Sequence, residues 1–566
     1  MKIKTLIIED NESVAIAIEH QLQQMRDFQV DRSINVAKAL ERISAAHTIP
    51  YDLILCDFNL GESTDGQQLL EFLRSEQRIP RKTVFIMITA EASYDMVASA
   101  VELAPDSYLL KPFTYDNLAQ RISYAMSKRE ALKEVYANMD GEKPDLMAAI
   151  KLCNGLILAA NRFTLDALKL KTECLIKLGK WGDAANVYDK IIAWRPTSWA
   201  EVGRARTLRH AGHPELAEKN LLTTIEKFPT FLAAYDEIAS MAEETGDRLR
   251  AQEFLEKSYS IVPSNRRTRA LGLIALKNGD LNKAARLMKI VTERDCYGLK
   301  RSTEDFFMLT AALRRLSRHD EAMAVLESLK DHFPETRPLQ VRKMAAEAMV
   351  LVAANRPFDA KKRVNDALEL RHGQMEPRTQ LELGEACHEC GDIETAQEIF
   401  LHVAENWQED PTVFTQVKES LERTGLGQEG LALIKQSING LISINNNAAK
   451  KVTEGRFDEV IDDMAQVAMR LHNHATVQAN YVHALLLWLE HNAPRNLMEL
   501  PRHSMPGKNI RLAREHLHLL IKINPNHSRL PHLQRMLASV MGESDAGEGV
   551  QNLHQEQEPA SMESGG

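Results

Sequence analysis

The sequence predicts two architectures in one chain. The first is an α/β doubly wound unit with a parallel five-stranded sheet, over about the first 140 residues; the second is an all-α array of stacked helix pairs. Three observations predict them. Before residue 140, short apolar runs alternate with amphipathic stretches, as in strands buried on both faces between helices. After about residue 145 the strand signal stops and a 3.6-residue apolar period takes over. From there, small residues recur at near-constant spacing just past short Gly-containing turns.

Taken in order, the strands are Leu6-Ile7-Ile8, a weaker one near Gln29 to Ile34, Leu53-Ile54-Leu55, Val84-Phe85-Ile86 and Tyr108-Leu109-Leu110. Helices are predicted near 13–26, 35–46, 64–76, 93–103 and 114–135. Ligands of open parallel sheets bind at the carboxyl ends of the strands, so the residues there matter most.

In the second part the recurring small residues are Ala184, Ala217, Ala251, Ala284, Ala322, Ala360 and Ala396, spaced 33, 34, 33, 38, 38 and 36. Turn glycines accompany them at 179, 212, 246 and 279, and Pro196, Pro229 and Pro263 close repeats. A small residue in each unit lets two helices approach closely, and stacked pairs bury a face that one pair cannot. Further turns are read at Gly391-Asp392, Gly425 and Gly455-Arg456-Phe457-Asp458. A proline-bearing insertion (Pro494, Pro501, Pro506) splits the last pair, and a helix near 527–541 caps the stack.

Length and composition bound the function. The 566 residues allow about four domain equivalents. The net charge is -9, and the last 24 residues hold six acidic groups and no Lys or Arg, which leaves the body at -3. No basic face points to nucleic acid. Six scattered Cys fit a reduced, cytoplasmic setting. No apolar run reaches membrane-spanning length, and the N-terminus lacks the features of a signal peptide.

Chemistry gathers at the strand ends. Glu9 and Asp10 end the first strand, Asp57 the third, Thr89 the fourth and Lys111, followed by Pro112, the fifth. Three carboxylates on one sheet edge need a counter-charge, which a hard cation such as Mg²⁺ supplies through oxygen ligands. Lys111 adds an ammonium suited to a phosphoryl oxygen, and Thr89 adds a hydroxyl.

Over residues 1–130 this set resembles the receiver domain of bacterial two-component response regulators, a flavodoxin-like fold. The resemblance implies that Asp57 accepts a phosphoryl group from a sensor histidine kinase or phosphotransfer protein. It implies Mg²⁺ held by Glu9, Asp10, Asp57 and the backbone carbonyl of Asn59, with Lys111 and Thr89 on the phosphoryl oxygens. Tyr108 falls at the family's aromatic switch, and Lys111-Pro112 at its cis peptide. Asn59 and Glu91 flank the water approach, which implies a phosphorylated lifetime of minutes or less. The loop from Phe58 to Gly66 departs from the family by lacking a Pro four residues after the acceptor. A turnover phosphatase on a similar fold would need a second acid two residues past Asp57, where this chain has Asn59, so no enzyme activity is expected beyond the domain's own phosphorylation and dephosphorylation.

The repeats resemble tetratricopeptide repeats, best over residues 160–295, as in Trp181-Gly182-Asp183-Ala184-Ala185. That resemblance implies a superhelical solenoid whose groove binds a protein. Cys387-His388-Glu389-Cys390 stands without a second ligand pair and reads as core packing. The expected organisation is a receiver at 1–130, an extended helix and linker at 131–144, about nine or ten helix pairs over 145–542, and an acidic, disordered tail at 543–566. The fifth receiver helix, running to about Tyr136, is expected to fill the place of a missing first helix before Leu146. The expected function is a cytoplasmic, phosphorylation-dependent response regulator with a protein-binding output. It could also dimerise through its fourth and fifth receiver helices, with neither nucleic acid nor membrane as partner. The alternatives are a constitutive scaffold with a vestigial receiver, or a modulator of a sister kinase and regulator.

Overall fold

In the computed structural model the described residues are 2–25, 27–45, 50–60, 66–90, 105–141, 143–261, 263–294, 302–371, 375–492 and 504–541. The expected helix at 93–103, Glu91, the loop at 61–65, the insertion at 493–503 and the acidic tail lie outside them. So does the fourth-helix half of the expected dimer face. The chain divides into two compact units, residues 1–325 and 326–566.

The first unit begins with five parallel strands: β1 (Ile3–Ile8), β2 (Phe28–Ser33), β3 (Leu53–Asp57), β4 (Val84–Thr89) and β5 (Ser107–Leu110). Their order is β2-β1-β3-β4-β5. In register, Ile8 lies beside Cys56 and Asp57 beside Ile88. Alternate residues of each strand serve opposite layers, as the two-residue strand period requires. Leu6, Ile8, Ile54, Cys56, Phe85 and Met87 pack against α2 (Val36–Ala45) and α3 (Gly66–Ser75). Ile7, Leu53, Leu55, Ile86 and Ile88 pack against α1 (Glu12–Gln24) and a long helix, Tyr115–Met139. Two of these helices start on side-chain caps: Asn11 accepts from the amides of Ser13 and Val14, and Thr114 from Asn117. Because every carbonyl end of this parallel sheet points the same way, the residues that follow β1, β3, β4 and β5 share one edge.

Helices alone follow. Among the described residues there are 21, from Leu146–Leu158 to Leu530–Met541. The seven recurring alanines are all fully buried, which explains their small size: each stands where two helices meet. The turn glycines at 179, 212, 246, 279, 391, 425 and 455 all take positive φ, which a side chain resists. Where the spacing stretches to 38, Ser317 and Asn355 carry the positive φ instead, each at 58°. One helix, Gly427–Thr453, runs for 27 residues, through Asn445-Asn446-Asn447, despite the modest helix preference of Asn.

Within each unit, ion pairs with a largely buried carboxylate join the first helices of several successive pairs. In the first unit, Glu237 accepts from Arg206 at 2.7 Å and Arg209 at 2.6 Å. Asp236 pairs with Arg267 at 2.9 Å, and Arg269 with Asp305 at 2.6 Å. In the second unit, Arg342 pairs with Glu382, and Arg423 with Glu385 at 2.7 Å.

Candidate phosphoacceptor site

Asp57 is the last residue of the central strand β3 and is buried. Glu9, just past β1, is buried; Asp10 beside it is exposed. One carboxylate oxygen from each of the three lies within 4.8 Å of the other two. Lys111, just past β5, reaches across this group. Its Nζ stands 2.7 Å from Glu9 Oε2 and 3.0 Å from Asp57 Oδ2. Its backbone N–H donates to the Thr89 carbonyl at 2.7 Å, tying the ends of β4 and β5 together, and its peptide bond to Pro112 is cis.

The electrostatics follow from that packing. Burial pushes the Glu9 carboxyl up; the hydrogen bond from Lys111 pulls it back and the charge of Asp57 pushes it up again. Burial alone would lower the Lys111 ammonium, but the hydrogen bonds to Glu9 and Asp57 outweigh it and hold its pKa above the ordinary value. One ammonium against three carboxylates leaves a deficit of two positive charges. The oxygen-only donor set and the close spacing fit a hard divalent cation.

Thr89 is buried at the end of β4. The Tyr108 ring packs partly buried against the layer of Ile8, Cys56 and Met87. Its hydroxyl is buried with no hydrogen-bond partner among the described residues, and burial raises its pKa. Asn59 is exposed two residues past Asp57. The structure therefore gathers Glu9, Asp10, Asp57 and Lys111 at the closest range, with Thr89 tied to them through the backbone. Sequence reasoning gave Lys111 a phosphoryl oxygen as partner, whereas here it bridges two carboxylates.

Gly66 belongs to the site and carries no signal in the sequence beyond opening α3. A Cβ built there would stand 2.3 Å from the Asp57 carbonyl oxygen and 2.8 Å from Met87 Sδ. Only glycine lets α3 start this close behind Asp57. Cys56 is fully buried and donates to the Asp57 carbonyl at 3.3 Å. Cys387 lies fully buried in the apolar core of its repeats. Among the described residues, Glu9, Asp10 and Asp57 are the one group spaced to hold a metal.

Residues 5–123 match the response regulator receiver domain family. This part of the chain is a receiver domain. Response regulator ArlR of Staphylococcus saprophyticus is 34% identical over 133 residues, covering 23% of this chain and 56% of that protein. ArlR of Staphylococcus aureus strain Mu50 is 29% identical over 169 residues, covering 30% and 72%. The match thus spans little more than half the length of the first relative. Among solved structures, chemotaxis protein CheY4 of Vibrio cholerae aligns with 22% of this chain and 99% of its own at 21% identity and TM-score 0.20. A tetratricopeptide repeat protein from Parabacteroides merdae aligns with 45% of this chain and 97% of its own at 15% identity and TM-score 0.29. No helix among the described residues is long and apolar enough to cross a membrane.

Proposed function

We propose that the chain is a two-component response regulator in which Asp57 is the phosphoacceptor and the helical repeats deliver the output by binding a protein. The observation that carries this is the Lys111 ammonium bridging Glu9 and Asp57 beside Asp10 on one sheet edge. Three converging carboxylates are costly unless cations offset them, so the arrangement serves a purpose other than stability.

In the reaction an Asp57 carboxylate oxygen attacks the phosphorus of a phosphohistidine. A P–O bond forms, the P–N bond breaks, and the imidazole leaves and takes up a proton. Glu9, Asp10 and Asp57, with the Asn59 carbonyl, would hold Mg²⁺, which when bound offsets charge on the phosphoryl oxygens. Lys111 holds an ammonium within reach of the same oxygens, and Gly66 leaves the Asp57 backbone unobstructed. Thr89, at the end of β4, and Tyr108, within β5, are the residues that sense the added charge of about -1.5 to -2. The domain catalyses no reaction other than gaining and losing its own phosphoryl group.

Incubation with acetyl phosphate and Mg²⁺ tests this. Intact-mass analysis should show one added phosphoryl group on the wild type and none on Asp57→Ala. Equal labelling of the two, or none on either, would overturn the assignment.

A further inference from the structure

We propose that the receiver has a second function: it is the N-terminal cap of the repeat array, and the first repeats depend on it for their stability. This role is independent of phosphorylation. A stack of helix pairs leaves an apolar face open at each end unless something covers it. Here the covering element is the second half of the long helix. Val135 and Met139 are buried in one apolar cluster with Ala149, Ile150 and Cys153 of helix Leu146–Leu158, and with Cys174 and Leu175 of helix Thr164–Lys177. The first half of the same helix packs on the sheet through Leu118, Ile122 and Ala125. One helix is therefore shared between the receiver core and the first repeat core.

Polar contacts lock the receiver onto the next helix. Arg81, just before β4, donates to both carboxylate oxygens of Glu173 at 3.1 and 2.6 Å, and lies 3.1 Å from Asp140. Lys128 of the long helix lies 2.8 Å from Asp166 and 3.7 Å from Asp106, the residue before β5. Arg162 lies over the rings of Tyr124 and Phe163. Arg81 and Asp106 stand at the starts of β4 and β5, whereas Thr89 and Lys111 stand at their ends. The cap contacts and the phosphoacceptor thus occupy opposite edges of the sheet, and docking leaves the acceptor uncovered.

The experiment is hydrogen exchange on the full chain, comparing wild type, Arg81→Glu, Val135→Asp, and Arg81→Glu combined with Glu173→Arg. Arg81→Glu and Val135→Asp should each speed exchange across residues 146–177 by about tenfold or more, while β1 and β3 keep their protection. The combined variant should recover most of what Arg81→Glu loses. Unchanged exchange across 146–177 in both single variants overturns the proposal. If a single variant also loosens the receiver strands, the combined variant decides: restored protection of 146–177 supports the cap, and no restoration overturns it.

Discussion

The acidic edge of the sheet and the repeat array are built on opposite principles. The edge brings together residues far apart in the chain, such as Glu9 and Lys111, 102 positions away from each other. A few atoms there carry all the chemistry. Within each unit of the array, helices pack chiefly on neighbours close in the sequence, and acid–arginine contacts of one kind recur between several repeats. Function concentrated in one place is fragile; stability spread along a stack is tolerant and local. Changes at the edge should act far beyond their size, and changes in the array should stay where they are made.

The largest effect is expected from Gly66→Ala. Its Cβ would overlap the Asp57 carbonyl, and displacing backbone at that point should cost about 3 kcal/mol, the upper end for overpacking. Acyl-phosphate labelling should fall with it. Thermal unfolding together with labelling checks both, and an unaltered labelling rate would break the contrast. Ala251→Leu, at a fully buried repeat position, should cost about 2 kcal/mol. Hydrogen exchange should confine the damage to helices near Arg248–Ile261 and leave labelling of Asp57 as it was.

A smaller effect concerns acid. His516 donates from Nδ1 to the Gln478 side-chain oxygen at 2.6 Å, since an amide oxygen can only accept, and the Gln478 amide nitrogen is turned to the carbonyls of Ala468 at 2.8 Å and His472 at 3.0 Å. Burial, aided by the charge of His472, lowers its pKa to about 4. The folded state therefore binds this proton less readily than the unfolded one. Its contribution is complete above about pH 6.5 and is lost as pH falls toward 4. Allowing for screening at a partly exposed ring, about 1 kcal/mol should be gone by pH 5. Denaturant titration of wild type and His516→Gln at pH 7 and pH 5 measures it as a shallower pH dependence in the variant. The smallest effect should be a gain. Asn355→Gly relieves a positive φ at a turn and should stabilise by about 0.5 kcal/mol, read as a small rise in the denaturant midpoint. A loss would mean that the Asn side chain holds the turn by its own contacts.

The strands and the residues at their ends were legible because buried parallel strands read as continuous apolar runs and the sheet's direction puts their ends together. The repeat phase was legible from Ala and Gly alone. Ser317 and Asn355 hide two turns because neither is glycine, although Asn is among the residues that next most readily take positive φ. The bridging role of Lys111 was hidden, since distance in sequence does not show which oxygens an ammonium will find. Gly66 was hidden because a lone glycine does not announce what stands opposite it. The Arg81–Glu173 pair has no periodic signature and appears only once the long helix has brought the two segments together. That pairing also changes how the array should be studied, because a fragment beginning at residue 145 would lack its cover.

The ion pairs that step from one repeat to the next restrict how the molecule can vary. Asp236 and Glu237 sit side by side but answer to different neighbours, Arg267 after them and Arg206 and Arg209 before them. Excising or transposing that repeat would take the carboxylate partners from Arg206, Arg209 and Arg267 together. The modules are therefore not interchangeable beads. Those at Leu232–Glu244, Asn265–Asn278 and Pro377–Glu389 carry an address for the one before and the one after, and lengthening or shortening these regions requires rewriting a charge on either side of the join.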